Sequence, residues 1–319
     1  MSRQIHRDRP ALSIGKTLGP LRCVGEDGRP ILRKAIDRKR PEVTQKIWFI
    51  TGASRGFGRE WTLAALERGD SVVATARDIH ALDDVTKQFA DKVLALTLDV
   101  TDRDAVFSVV ERAHRHFGRL DVVVNNAGYG QFGMVEELSE REVRDQIETN
   151  LFGALWVTQA VLPYLREQGG GHILQITSIG GISAFMNVGM YHASKWALEG
   201  ISQSLALEVA DFGIKVTMIE PGGYATDWGG SSALRATPLA AYDQIRGTSA
   251  RLREQRQSVP GDPVATRAAI LQVVDAPHPP LRIFFGDGPL GIATADYEAR
   301  LHTWREWEPV SIAAHGHTR

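Results

Sequence analysis

The chain predicts an α/β fold: a single doubly wound domain with a mainly parallel sheet and helices on both faces. Two observations carry this. From Ile47 onward, short apolar runs alternate with amphipathic stretches of helical length, and strands that read as continuous apolar runs are buried on both faces. The segment joining the first such run to the first amphipathic stretch is rich in glycine, which is where an open parallel sheet binds ligands.

Taken in order, Ile47–Ile50 reads as a buried first strand and Arg59–Arg68 as the helix that follows. Ser71–Thr75 is the second strand, Val93–Leu98 the third, and Asp104–Phe117 a helix. Leu120–Asn125 is the fourth strand. A long helix is expected around Glu142–Arg166, a fifth strand at His172–Thr177, a second long helix at Tyr191–Phe212 and a sixth strand at Lys215–Glu220. After Pro221 the pattern loosens into a Gly/Ser/Thr/Arg-rich stretch, about 222–260, and resumes with a helix near Pro263–Val274 and a strand near Leu281–Phe285. Strands separated by helices make a Rossmann-type architecture. The loose stretch leaves the carboxyl end of a strand, so it is expected to form a substrate lid rather than a plain surface loop. Residues 46–305 are read as one catalytic domain and 306–319 as a C-terminal tail.

Composition bounds the rest. An apolar content of 43% and a charged content of 24% suit a globular protein with a sizeable core. The formal net charge of −1 gives no argument for nucleic acid or membrane as a partner. A single cysteine, Cys23, excludes an intrachain disulfide and a multi-cysteine metal site. No apolar run approaches a membrane span or a signal-peptide core, so a cytoplasmic location is the default. The charge is uneven, however. Residues 1–46 carry twelve Lys/Arg against five Asp/Glu, including Arg38-Lys39-Arg40. Residues 1–45 are therefore read as a basic, flexible extension. Anionic-surface or nucleic-acid binding, a transit peptide and an overlong start are the alternatives for it.

Two groups of residues carry the chemistry. T-G-A-S-R-G-F-G follows the first strand directly, with Gly52, Gly56 and Gly58. Glycines at a strand-to-helix turn let the backbone approach a pyrophosphate that sits on the free N–H groups of the helix. Further on, Tyr191-His-Ala-Ser-Lys195 lies thirteen residues after Ser178. Tyrosine and lysine four apart share one helix face, and an ammonium beside a phenol favours the phenolate and lowers its pKa. Alone, such a pair is as often a surface contact; its weight comes from the glycine turn upstream. His192, one step along the helix, points about 100° away and is expected to pack. His315 and His317 lie in a polar stretch without a ligand constellation, and no metal is expected.

The spacing T-G-x-x-x-G-x-G resembles the classical short-chain dehydrogenase/reductase family. Further segments resemble that family in order: Asp99 with Val100 after the third strand, Asn125-Asn126-Ala127-Gly128 after the fourth, Asn150 in T-N-L-F-G, the trio Ser178, Tyr191 and Lys195, and Pro221-Gly222 with Thr226. The resemblance covers about residues 46–305. It implies an oxidoreductase that interconverts a ketone or aldehyde and an alcohol on a nicotinamide cofactor. By the same resemblance Tyr191 is the general acid/base, Lys195 holds the nicotinamide ribose and supports the tyrosine, Ser178 orients the carbonyl, and Asn150 holds a water that links Lys195 to solvent. The cofactor-binding set it implies is Gly52, Ser54, Arg55, Gly56, Phe57, Gly58, Arg77, Asp99, Val100, Asn126, Ala127, Gly128, Tyr191, Lys195, Pro221, Gly222 and Thr226. The position that carries a carboxylate in NAD-preferring members falls on Ala76, with Arg77 next, and Arg55 stands in the glycine turn. Guanidinium groups bind a 2′-phosphate that a carboxylate would repel, so NADP(H) is expected over NAD(H).

The expected substrate is a small hydrophobic carbonyl or alcohol, because the candidate pocket residues Tyr129, Phe132, Phe185, Met186, Val188 and Tyr224 are apolar or aromatic. The end of the second strand resembles the branch with hydroxysteroid and retinol dehydrogenase-like enzymes. The two long helices resemble those that pair subunits, implying a homodimer or homotetramer. The rival readings are a non-catalytic NADP(H)-binding regulatory protein, and an extended-family epimerase or dehydratase that the glycine spacing fits less well.

Overall fold

The computed structural model of the chain describes residues 45–255 and 259–316. The basic extension, Cys23 and His317 lie outside the described residues. Strands β1 (Ile47–Ile50), β2 (Ser71–Ala76), β3 (Val93–Thr97) and β4 (Val122–Asn125) are separated by helices α1 (Gly56–Arg68), α2 (Asp83–Gln88) and α3 (Arg103–Phe117). A two-residue strand, β5 (Gln131–Phe132), then precedes helices α4 (Glu140–Ile147) and α5 (Gly153–Glu167). Next come β6 (Gly171–Ile176), α6 (Gly189–Glu208), β7 (Ile214–Pro221) and the short β8 (Leu234–Arg235). Helices α7 (Asp243–Gln255) and α8 (Thr266–Asp275), strand β9 (Arg282–Phe285) and helix α9 (Pro289–Ala314) complete the described chain.

The main sheet has the order β3-β2-β1-β4-β6-β7-β9, all neighbours parallel. Its central strands are buried on both faces, the edge strands β3 and β9 only in part, and alternate side chains feed two cores. Phe49, Val73, Val123 and Ile173 face α3 and α5 through Val106, Val110, Val157 and Val161. Trp48, Ile50, Val72, Val124 and Leu174 face α1 and α8 through Trp61, Ala65, Ile270 and Val273. The chain runs outward from β1 to β3, then returns past β1 to β4. The crevice at the carboxyl ends of β1 and β4 is therefore the topological switch point.

Helix ends follow the sequence signals. Asp102 caps α3 by accepting from the Ala105 N–H, and Gly118 ends that helix in the left-handed region. Ser139 and Glu142 form a capping box on α4.

One expectation is corrected, and two further stretches hold elements that the pattern does not show. The long helix expected around Glu142–Arg166 is two helices joined by a π-turn at Glu148–Phe152. Hydrophobic periodicity barely registers the residue that such a turn inserts. The stretch 222–260 holds β8, short 3₁₀ turns and α7. The tail read from 306 is helical to Ala314, as the distal part of α9. That helix is poorly legible as amphipathic because its exposed positions include Leu301, Trp304, Trp307, Val310 and Ile312.

Candidate active site

A cavity of about 1220 Å³ opens at the switch point. It is lined by the glycine turn, by Arg77 at the end of β2, by the segments after β3, β4, β6 and β7, and by the start of α6. All the cofactor-binding positions expected from the sequence line it except Gly58, which acts from beneath. A Cβ at Gly58 would sit 2.4 Å from the Gly52 carbonyl oxygen and 2.5 Å from Asn126 Nδ2, so only glycine lets α1 start this close to the turn. Asn126 is the clamp between β1 and β4: its Nδ2 donates to the Thr51 and Gly52 carbonyls at 2.9 and 3.1 Å. The Thr51 hydroxyl oxygen in turn accepts from the N–H groups of Asn126 and Ala127, each at 3.0 Å.

The N-terminus of α1 has no side-chain cap and no acidic residue in its first turn, and Arg55 stands at the N-cap. An uncapped helix start facing a cavity presents free N–H donors and the positive end of the helix dipole. Arg55 and Arg77 line the same cavity and are exposed, and their guanidinium groups make no hydrogen bond or ion pair with other described residues. Ala76 is buried and carries no charge. Asp99 lines the cavity while its carboxylate accepts from the Thr101 N–H and hydroxyl at 3.0 and 2.8 Å. The donor set and the cradle fit a nicotinamide dinucleotide: donors and cations at the phosphate end, apolar walls deeper in.

Ser178, Tyr191 and Lys195 meet at the inner end. Tyr191 is 8% exposed, and burial pushes its phenol up to about 12, with the Ser178 hydroxyl hydrogen-bonding it and pulling the other way. Lys195 Nζ donates to the Ile176 carbonyl at 2.7 Å and lies 5.8 Å from the Tyr191 ring centroid. Burial draws this ammonium down to about 8, against the field of Glu199, which raises it. The expectation that lysine lowers the tyrosine is thus reversed in the protein alone. Desolvation of the phenol outweighs its hydrogen bond to Ser178, and the ammonium is itself desolvated and turned toward a carbonyl.

Asn150 is buried in the π-turn and does not line the cavity. Its Oδ1 accepts from the Tyr129 N–H at 3.1 Å, and its Nδ2 donates to the Tyr129 carbonyl at 3.0 Å and to Ser194 Oγ at 3.2 Å. The side-chain amide is therefore spent on fixing the segment after β4. His192 lines the cavity too and is held there by two hydrogen bonds. Nδ1 donates to the Gly180 carbonyl and Nε2 accepts from the Phe185 N–H, both at 2.8 Å, which makes it a neutral brace behind Ser178.

The expected substrate residues divide. Val188 and Phe185 line the cavity beside Ser178 and Tyr191, whereas Met186 and Phe132 do not line it. Tyr224 lines it but packs edge-on against Phe57, at 4.9 Å, on the glycine-turn side. Tyr129 also lines it and is turned toward α4: burial and the carboxylates of Asp145 and Glu142 push its phenol up to about 12, while Arg77 pulls it down.

The aromatic residue that sequence reading missed is Trp228. Its indole lies 4.9 Å from the Tyr191 ring and 5.2 Å from Phe132, over Gly130. The segment after β7 that carries it is laced to the loop after β4 by the parallel pairing of β5 with β8, and Arg235 stacks on Phe132. Glu137 fastens this segment further by accepting from the Leu239 N–H at 2.8 Å and from Arg246. Position two residues after Thr226 is the only sequence signal for Trp228; its target is set by tertiary contact.

Comparison with known proteins agrees with this geometry. Residues 46–235 match the family model described as short chain dehydrogenase. An oxidoreductase, BOA17, of Botryotinia fuckeliana is 41% identical over 271 residues, covering 84% of this chain and 99% of that protein. A 3-ketodihydrosphingosine reductase of Bacteroides thetaiotaomicron is 36% identical over 247 residues, covering 76% and 88%. A crystal structure of a short-chain dehydrogenase from Streptomyces avermitilis superposes with a TM-score of 0.79 at 40% identity, covering 84% and 99%. An alcohol dehydrogenase from Thermococcus sibiricus, complexed with 5-hydroxy-NADP, superposes at 0.64 with 26% identity, covering 76% and 96%. The chain belongs to the short-chain dehydrogenase family and is an NAD(P)-dependent oxidoreductase.

Proposed function

We propose that the protein is an NADP(H)-dependent reductase of ketones or aldehydes, acting in reverse as an alcohol dehydrogenase. The observation that carries the cofactor choice is the pair of unengaged guanidinium groups, Arg55 and Arg77, beside an alanine where a carboxylate would select NAD. Gly52, Ser54, Gly56, Phe57, Gly128, Pro221, Gly222 and Thr226 would hold the rest of the dinucleotide. When bound, the nicotinamide supplies or accepts the hydride.

The chain's own residues handle the proton. Tyr191 stays protonated at neutral pH, as a donor to a carbonyl oxygen must, and Ser178 orients that oxygen through its hydroxyl. Lys195, held on the Ile176 carbonyl, keeps a positive charge beside the phenol as the proton leaves, which offsets the burial that otherwise opposes the phenolate. Trp228 and Val188 keep water from the phenol and give the carbonyl compound an apolar seat. One relative's name as a 3-keto reductase is in keeping with a ketone substrate. No helix among the described residues is long and apolar enough to cross a membrane, and a cytoplasmic enzyme is the reading we favour. Exposed Trp196 and Leu207 on α6 support a homodimer or homotetramer built on the long helices.

The test is NADPH and NADH consumption against a panel of apolar ketones and aldehydes. Tyr191→Phe is expected to abolish turnover while NADPH still binds. Arg77→Ala is expected to raise the NADPH Michaelis constant about tenfold or more and to leave that for NADH within about twofold, as loss of one charge-assisted hydrogen bond requires. NADPH binding without turnover on the whole panel would turn the reading to a regulatory protein.

A further inference from the structure

One turn beyond Lys195 on α6, at the i+4 position, stands Glu199, 5% exposed. Across from it, at the end of β7 and directly before Pro221, Glu220 is 0% exposed. Arg282 of β9 reaches between them, its Nε 2.8 Å from Glu199 Oε2 and 3.5 Å from Glu220 Oε1, and its Nη2 donates to Gln203 at 2.9 Å. Glu199 Oε1 and both oxygens of Glu220 find no donor among the described residues. Two buried carboxyl groups around one guanidinium cannot both carry charge at low cost, so a proton between them is the balanced state. Burial, together with Glu199, accordingly raises Glu220 to about 8, while Arg282 pulls it down.

The cluster lies one helical turn from Lys195 and against the turn that follows Ser178. The turn that bears Ser178 packs on it, since a Cβ at Gly181 would come within 3.0 Å of Glu199 Cγ and 3.3 Å of the Lys195 carbonyl. Helix α9 covers this turn with Ala293 and Ile292. Its charged residues there, Asp296 and Arg300, pair with each other at 2.6 Å and bond to Ser183 and the Ile182 carbonyl. The charged and titratable groups facing Lys195 and Glu199 among the described residues are thus Tyr191, Glu220 and Arg282.

Resting on the catalytic reading of Tyr191 and Lys195, we propose that Glu199 is a positioning residue. Its carboxylate, held by Arg282 one helical turn from Lys195, favours the charged form of that lysine. Glu220, raised by burial, is the proton-bearing partner across Arg282, and its place before Pro221 ties that state to the segment after β7.

Lysine ε-¹³C NMR on the full chain reads this directly, with Lys195→Arg identifying the signal among the eight lysines of the sequence. Glu199→Gln retains Glu220 as the partner of Arg282 and is expected to lower the proton affinity of Lys195 about tenfold. The basic limb of the pH profile of NADPH oxidation, with the most active ketone of the panel, is expected to move by the same factor. Glu199→Asp is expected to recover part of the shift, and it serves equally if the glutamine variant does not fold. Glu220→Gln, which mimics the protonated partner, is expected to keep the Lys195 midpoint within about twofold. An unchanged Lys195 midpoint in both Glu199 variants, or equal shifts in the Glu199 and Glu220 variants, would overturn the proposal. If the midpoint moves but Tyr191→Phe still turns over, the catalytic reading has failed and the positioning role falls with it. A silent Tyr191→Phe with an unmoved midpoint removes the positioning role alone.

Discussion

Replacing Gly58 by alanine tests the glycine turn at its tightest point. The added Cβ would lie 2.4 Å from the Gly52 carbonyl oxygen and 2.5 Å from Asn126 Nδ2, about 0.6 and 0.5 Å inside the 3.0 Å that real contacts keep. Neither neighbour yields freely, because one is backbone and the other holds two hydrogen bonds to the turn. Overpacking of this kind costs about 1–3 kcal/mol, and weakening two hydrogen bonds adds about 1–2 kcal/mol. A loss of roughly 2–5 kcal/mol in a domain of this size lowers Tm by on the order of 10 °C. The same displacement moves the N–H donors of α1, so NADPH affinity is expected to fall at least about tenfold. Circular dichroism melts and a titration of NADPH fluorescence measure the two effects. A Tm within about 2 °C of the parent with unchanged NADPH affinity would refute the close-packing argument.

Two other outcomes are expected. Trp228→Ala removes ring contacts to Tyr191 and Phe132, each worth about 0.5–1.5 kcal/mol, so kcat/KM for a bulky apolar ketone should fall about tenfold to a hundredfold while NADPH affinity stays within about threefold; equal losses in both would place the indole on the cofactor instead. His172 is buried on Thr217, its Nε2 2.9 Å from Oγ1, and burial draws its pKa from 6.5 down to about 3. The unfolded chain therefore binds the proton more readily between pH 6.5 and about 3, and stability falls as pH drops through that window, by up to about 1.4 kcal/mol per pH unit. Denaturant unfolding from pH 7 to 4.5 should show a shallower acid loss in His172→Gln, and parallel curves would count against a neutral buried imidazole.

Much of this protein is legible before any coordinate is known. The buried strands are visible because both faces of a parallel sheet demand apolar side chains, and Phe49 and Ile50 satisfy opposite cores. Gly58 and Tyr191–Lys195 are legible because local backbone geometry and helical spacing act over a few residues. The π-turn at Asn150 escapes such reading, since one inserted residue hardly alters the pattern, and so does Trp228, whose meaning lies in a ring 37 positions away in the chain.

By itself, then, the sequence determined the doubly wound sheet, the glycine turn after its first strand and the helical spacing of Tyr191 and Lys195, all consequences of short-range periodicity and chain stereochemistry. Only the tertiary structure decided how those groups are charged and enclosed. It buries Tyr191 and Lys195 together, lays Trp228 on the phenol, and gathers Glu199, Glu220 and Arg282 from α6, β7 and β9. Desolvation and long-range ion pairing depend on which segments meet in space, and residue spacing along a chain does not carry that information.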